Sequence, residues 1–252
     1  MSRRRAFTLV EVMVAVALGA FIALITGSAL INASRVFTKN SSRDAAFREL
    51  AKARRSLETD LIQVSLNSST IVQAPASLGG GADGDAIDYL SAVNVTSGKI
   101  VPQTDGSGSP YFYQNLIYYI TVPSDHDTLF ATTCTGGNEG GYDYNCPHKE
   151  LIRMVQDENP TFDPGDSTSQ DNLLPSLLTF LTRPAGFPLT SNFRAVAINL
   201  VSFRINRLPG ELEVDLRAAA ILDARRKISL GTTSLRTGPY TIQQRFSIFP
   251  KN

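Results

Sequence analysis

The sequence carries almost no net charge, and this excludes one large class of function. Its 252 residues include 24 Lys and Arg against 23 Asp and Glu, a formal net charge of +1. A protein whose main task is to bind duplex nucleic acid usually shows a basic excess on one face. No nucleic-acid partner is therefore predicted.

Several catalytic motifs are also absent. The sequence has no nucleophile elbow, no P-loop and no HExxH motif. Ser, His and Asp occur, but no spacing places them together. The sequence therefore predicts no enzyme, no catalytic residues and no required cofactor.

A long apolar segment follows the N-terminus. The stretch from Phe7 to Ile31 contains a single charged residue, Glu11, and no proline. A helix of about 25 residues is about 37 Å long, which is enough to span a bilayer core of roughly 30 Å. Three arginines at positions 3–5 precede it. The positive-inside rule therefore places the N-terminus in the cytoplasm and the rest of the chain outside.

Three kinds of segment fit this pattern, and Glu11 helps to distinguish them. They are a secretory signal peptide, a plain single-span anchor, and a prepilin-type signal that is cut on the cytoplasmic side and keeps its helix. An acid inside a membrane is costly and is a functional candidate by default. If a leader ends at Ala6, the Glu11 carboxylate can neutralise the α-amino group of a neighbouring subunit's Phe7.

The sequence AFTLVEV, from Ala6 to Val12, resembles the class III signal of type IV pilins and type II secretion pseudopilins. The resemblance implies cleavage by a prepilin peptidase between Ala6 and Phe7, N-methylation of Phe7, and an assembly role for Glu11. It also implies other pilin or pseudopilin subunits as partners and a location in the inner membrane. The family usually has Gly at the last leader position, where this chain has Ala6.

The helical pattern continues beyond the apolar segment. No proline or glycine occurs from residue 35 to residue 64, and apolar residues recur on one helical face. These residues are Phe47, Leu50, Leu57, Leu61 and Val64. After a leader over 1–6, we therefore predict one helix over 7–66 that is transmembrane over 7–31 and amphipathic beyond.

Residues 67–252 are predicted to form a β-rich domain, because their pattern changes to period two with β-branched and aromatic residues. The predicted strands are Thr70–Gln73, Ala86–Val93, Leu116–Val122, Thr128–Thr133, Glu150–Val155, Val196–Asn206, Glu211–Ile221 and Thr241–Phe249. Leu208-Pro209-Gly210 predicts a hairpin turn. The fold class is therefore α+β: a long N-terminal helix followed by a mostly antiparallel β domain, as in pilins.

A second, more scattered resemblance concerns the β domain. The strand Leu116–Val122 and the later segment KELIR at 149–153 are similar to the Y-x-I…L-x-R pattern of J-type minor pseudopilins and W-type minor pilins. The domain is also larger than that of a typical major subunit. The resemblance implies a minor subunit.

The only two cysteines, Cys134 and Cys146, lie near the two histidines, His126 and His148. The four residues form a possible zinc set, but their spacing lacks the close CxxC pair of structural zinc sites. In an exported domain a Cys134–Cys146 disulfide is favoured, and its closed loop is worth about 2.5–3 kcal/mol. The histidines are then expected at the surface, with no metal bound.

Two acidic trios are candidates for calcium ligands. They are Asp83, Asp85 and Asp88, and Asp163, Asp166 and Asp171. Neither matches an EF-hand loop, and acidic surface turns explain both equally well.

An alternative function is a membrane-anchored β domain that binds a ligand through its loops, outside any filament. Aromatic side chains suited to such a surface are Tyr111, Phe112, Tyr113, Tyr142 and Tyr144.

Overall fold

The computed structural model contains one long helix and one antiparallel sheet. It describes residues 8–64, 66–72, 83–94, 97–123, 126, 128, 146–157, 159, 161–176, 192–220 and 241–250. The chain divides into two compact units, Met1–Ser42 and Arg43–Asn252.

Helix α1 extends over Leu9–Leu61. The prediction extended it to residue 66, but the helix ends at Leu61 and a short 3-10 helix, Leu66–Ser68, follows. The apolar side chains of α1 in the first unit are exposed. None of the residues in its most apolar 18-residue stretch is buried. By length and composition this part of α1 can cross a membrane.

In the second unit, one face of α1 belongs to the hydrophobic core. Ala46, Leu50, Ala53, Leu57 and Leu61 are buried at helical spacing. The predicted stripe is confirmed at Leu50, Leu57 and Leu61, and Val64 is also buried but lies beyond the end of the helix. Phe47 is the exception, because it is 55% exposed. The buried face at this level of the helix is formed by Ala46 and Leu50 instead.

The described part of the second unit contains eight strands in one sheet. They are β1 Ser69–Val72, β2 Asp83–Gly84, β3 Ala86–Ser91, β4 Gln114–Thr121, β5 Lys149–Gln156, β6 Phe193–Leu208, β7 Glu211–Ala219 and β8 Thr241–Ile248. The order is β1-β3-β4-β5-β6-β7-β8, with β2 paired to β6. All these pairings are antiparallel, as predicted.

The predicted strands correspond to β1 and to β3 through β8. The prediction at Thr128–Thr133 is different: Thr128 has helical backbone, and residues 129–133 lie outside the described residues. The two-residue strand β2 was not predicted, because it is too short to show a period-two pattern.

The predicted hairpin is confirmed between β6 and β7. Leu208 pairs with Glu211 across the two-residue turn of Pro209 and Gly210. Gly210 has φ of 84°. Proline followed by a residue with positive φ is the arrangement of a type II turn, and glycine adopts that φ without steric cost.

A bulge interrupts β6 where it faces α1. Asn199 has φ of 56°, and asparagine tolerates this region better than most residues. The pairing register shifts on the same stretch of β5 and β6. The Ile198 N–H donates to Glu49 Oε2 of α1 at 3.1 Å. A helix side chain thus satisfies a backbone donor at the bulge.

Both faces of the sheet are covered. The main core joins α1 to side chains of most strands. A smaller cluster on the opposite side contains Ala86, Ile117, Tyr119, Ile152, Met154 and Leu174. All eight residues of β4 are buried. Central strands β3, β4 and β5 therefore lack a solvated face.

Candidate functional site

Glu11 lies in the first turn of α1 and forms a capping box with Thr8. Its Oε2 accepts hydrogen bonds from the Thr8 backbone N–H at 2.9 Å and from the Thr8 hydroxyl at 3.0 Å. The Glu11 N–H donates to the Thr8 hydroxyl oxygen at 3.3 Å. This reciprocal arrangement satisfies backbone donors that a helix leaves open at its N-terminus. Sequence analysis missed this role, although T-x-x-E is its signature.

The helix surface around Glu11 is apolar and exposed. Leu9 is 79% exposed, Val10 67% and Met13 65%. Ala6 and Phe7, the predicted cleavage residues, lie outside the described residues. In the sequence, Glu11 follows the predicted new N-terminal residue, Phe7, by four positions. The segment thus presents an acid within an apolar surface.

A polar network connects α1 to the sheet in the second unit. Asp60 Oδ2 accepts from Arg153 Nε at 2.6 Å and from the Tyr118 hydroxyl at 2.7 Å. Tyr118 and Arg153 are direct partners across β4 and β5. The Ser56 and Tyr118 hydroxyls are 2.7 Å apart. The Y-x-I…L-x-R pattern contained Tyr118 and Arg153, but nothing in it indicated Asp60 as their shared partner.

The ionisation of this network is fixed by its surroundings. Burial, followed by the charge of Asp60, raises the pKa of Tyr118. Burial alone would lower the pKa of Arg153, but the charge and hydrogen bond of Asp60 outweigh it and raise that pKa. The phenol stays neutral and the guanidinium stays charged at neutral pH, so the network is an ion pair that fixes α1 on β4 and β5.

The predicted acidic trios do not form two surface turns. Asp85, Asp88 and Asp171 are buried, at 3%, 0% and 4% exposure. Asp163 and Asp166 are exposed, and Asp166 caps the 3-10 helix Ser167–Ser169. The surface interpretation is therefore wrong for three of these residues, since β3 and the segment before Leu174 enclose them.

One acid from each trio lies near the other on the second face of the sheet. Asp88 Oδ2 accepts from the Leu174 N–H at 3.2 Å, and the Asp171 carboxylate accepts from the Asn159 N–H at 2.9 Å. Burial, with a smaller contribution from the Asp171 charge, raises the pKa of Asp88 to about 7. Calcium binding was only the minor alternative for both trios, and these contacts do not test it.

The expectation that both histidines lie at the surface is wrong. His126 is 3% and His148 is 2% exposed. His126 Nε2 lies 3.0 Å from His148 Nδ1, so one ring donates to the other. Burial, and then the proximity of His126, lowers the pKa of His148 to about 4. The pairing places them in the interior, which their spacing in the sequence did not indicate.

Cys146 is buried and is not a free cysteine. Cys134 lies outside the described residues, so its disulfide with Cys146 stays a prediction.

The three described aromatic candidates, at positions 111–113, do not form the exposed surface proposed for a ligand-binding module. Tyr111 is fully buried, and its hydroxyl lies 2.6 Å from the Ser169 hydroxyl. Tyr111 and Tyr113 stack and both make edge contacts to Phe162. Phe112 is partly buried, and Tyr142 and Tyr144 lie outside the described residues.

Comparison with known families places the N-terminal segment in a class. Residues 1–27 match the family described as the prokaryotic N-terminal methylation motif. The searches of curated proteins and of solved structures gave no match. The matched motif, followed by an apolar helix and an antiparallel sheet, supports a structural protein of the pilin or pseudopilin type.

Proposed function

We propose that the protein is a minor pilin or pseudopilin of a type IV pilus-like or type II secretion filament. A prepilin peptidase cuts it between Ala6 and Phe7 and methylates the Phe7 amine. Residues 7–31 anchor it in the inner membrane, with the domain of residues 67–252 in the periplasm or exterior. The methylation motif over residues 1–27 is the observation that carries this proposal.

Glu11 is proposed to pair with the Phe7 amine of a neighbouring subunit. Both hydrogen bonds from Thr8 go to Oε2, so the capping box leaves Oε1 for an intersubunit contact. The helix around Glu11 exposes apolar side chains that a membrane or other subunits would cover. In that low-dielectric setting, the attraction between carboxylate and amine is strong and repays its desolvation only when both charges meet.

A minor role is supported by the second unit. Tyr118 and Arg153, both in the pattern shared with J-type and W-type subunits, meet at Asp60. The predicted Cys134–Cys146 disulfide would stabilise the loop between the two cysteines.

The processing step is tested by the intact mass and N-terminal sequence of the chain from its native membrane. We expect a chain that begins at N-methyl-phenylalanine 7. A chain that keeps Met1 would favour the alternative, an anchored ligand-binding domain outside any filament. A start near residue 30 would indicate a conventional signal peptide.

The role of Glu11 is tested by two substitutions. Glu11→Ala removes both the charge and the capping box, whereas Glu11→Gln removes the charge and keeps a residue that also serves in capping boxes. If pairing with the amine matters, both variants should accumulate in the membrane but co-purify poorly with the filament. Normal incorporation of Glu11→Gln would show that Glu11 acts through capping, and that outcome would refute the pairing.

A further inference from the structure

Three buried side chains that can bind a metal lie together beside the start of β5. His126 Nε2 is 3.0 Å from His148 Nδ1, and Cys146 Sγ is 3.5 Å from His126 Nε2. The three candidate ligand atoms all lie within 4.8 Å of one another. The filament role proposed above uses neither histidine.

Two of the three separations are close to the edges of a zinc coordination tetrahedron. With Zn–N of about 2.05 Å and Zn–S of about 2.3 Å, tetrahedral angles separate two nitrogens by about 3.3 Å, and a nitrogen and a sulfur by about 3.6 Å. The observed separations of 3.0 Å and 3.5 Å are slightly shorter. Small side-chain movements therefore admit an ion, which would replace the proton between the two imidazoles.

The ligands are held by the backbone of the sheet. The His126 N–H donates to the Pro123 carbonyl at 3.1 Å, two residues beyond β4. His148 directly precedes β5, which pairs with β4. The fully buried Lys149 ammonium donates to the carbonyls of Cys146 at 3.1 Å and Val201 at 2.8 Å. Cys146 and His148 thus lie within three residues of β5, and a site next to a rigid element is held more precisely than a site on a free loop.

We propose that the reduced chain binds a divalent transition-metal ion of the zinc class through His126, Cys146 and His148. The donor set of two imidazoles and a thiolate suits zinc rather than calcium or magnesium.

Metal binding and the Cys134–Cys146 disulfide are alternative states of the same cysteines. The chain is synthesised with thiols, so the ion can bind before oxidation. Exchange with an oxidising disulfide takes two electrons from the two sulfurs and turns that reagent into a dithiol. One of the two protons that the dithiol needs comes from the Cys134 thiol, and the other comes from solvent because Cys146 reacts as a thiolate. The bound ion is then released, because a disulfide sulfur is no longer a thiolate.

The test is a titration with Co²⁺ of the full-length chain in detergent. One sample of the chain is first reduced by a phosphine, and a second sample is oxidised. Cobalt in a tetrahedral N/S site gives d–d bands and a thiolate-to-metal charge-transfer band. We expect both in the reduced chain, displacement of Co²⁺ by Zn²⁺, and loss of the charge-transfer band in the oxidised chain. The sequence contains only two cysteines and two histidines, so these signals can be assigned to single residues.

Variants identify the ligands. His126→Ala and His148→Ala should each weaken metal binding by more than roughly 10- to 100-fold, which is the loss typical of replacing a residue that only supports a ligand. The Cys134→Ser variant should keep a charge-transfer band, because Cys146 still supplies a thiolate. Adding Cys146→Ser to that variant should remove the band. Far-UV circular dichroism checks that each variant folds, and thermal stabilisation of the unmodified reduced chain by Zn²⁺ is a measurement that needs no variant. No cobalt signal in the reduced chain, or a signal unchanged by both histidine variants, would overturn the proposal.

Discussion

At the residue scale, Asp88 is a fully buried acid whose hydrogen bonding is incomplete among the described residues. Its Oδ2 accepts from the Leu174 N–H, but its Oδ1 is buried without a hydrogen bond among the described residues. The Asn115 Oδ1 on the neighbouring strand is in the same situation. An ionised Asp88 is therefore unfavourable in the folded state, in agreement with its raised pKa of about 7.

The stability of the domain should depend on pH through Asp88. Between its ordinary value of 3.8 and about 7, the folded state binds more protons than the unfolded state, so stability falls as pH rises through this window. Asp88→Asn should remove that slope and stabilise the protein above pH 7, by on the order of 1–4 kcal/mol. Chemical unfolding at a series of pH values measures this effect.

A matched control removes a charge elsewhere. Asp157 lies at an exposed position. Asp157→Asn should leave the difference in unfolding free energy between acid and neutral pH the same as in the parent protein. If the unfolding free energy of Asp88→Asn changed with pH in parallel with that of the parent protein, the role given to Asp88 would be wrong.

Residues that stand out by their position along the chain could be selected from the sequence, and those that depend on long-range contacts could not. Glu11 was selected as a candidate because one charge in an apolar run needs no tertiary structure to be recognised. The burial of His126, His148 and Asp88 follows from strand pairing and from the segment that covers β3, which the sequence pattern does not encode. Asp60 was missed for the same reason.

At the scale of elements, the buried face of α1 should dominate the stability of the second unit. Leu57 is fully buried in the main core. Leu57→Ala should cost about 2–5 kcal/mol of unfolding free energy, because it removes buried methyl groups and leaves a cavity. Phe47→Ala, at the exposed position that the helical stripe had included, should cost less than about 1 kcal/mol. Urea unfolding compares the two, and an equal loss would show that Phe47 belongs to the core.

Elements with strong local signals were predicted well. Helix α1 lacks proline and carries a regular apolar stripe, and the hairpin after β6 has a Pro-Gly turn that fits one turn type. The bulge at Asn199 was not foreseen, since it depends on the register between β5 and β6 and on the hydrogen bond from Ile198 to Glu49. Strand β2 exists only because it pairs with β6.

At the scale of the whole molecule, the two units carry different kinds of information. The family match lies within the first unit, residues 1–27. The second unit contains the sheet and the metal-binding candidates. The strand order in that sheet was not predictable, because pairings such as β2 with β6 join segments more than a hundred residues apart. The N-terminal segment thus carries the family motif, and the second unit carries the folded core.

The second unit should fold without the apolar segment. Among the described residues, burial begins at Ala46, so a chain that starts at residue 33 loses no core side chain. We expect it to be soluble and to unfold cooperatively by circular dichroism. A chain that starts at residue 62 lacks Leu50, Leu57 and Leu61, and it should fail to fold because the sheet loses the helix that covers its main core. A folded chain from residue 62, or an aggregated one from residue 33, would show that the core boundary within α1 is misplaced.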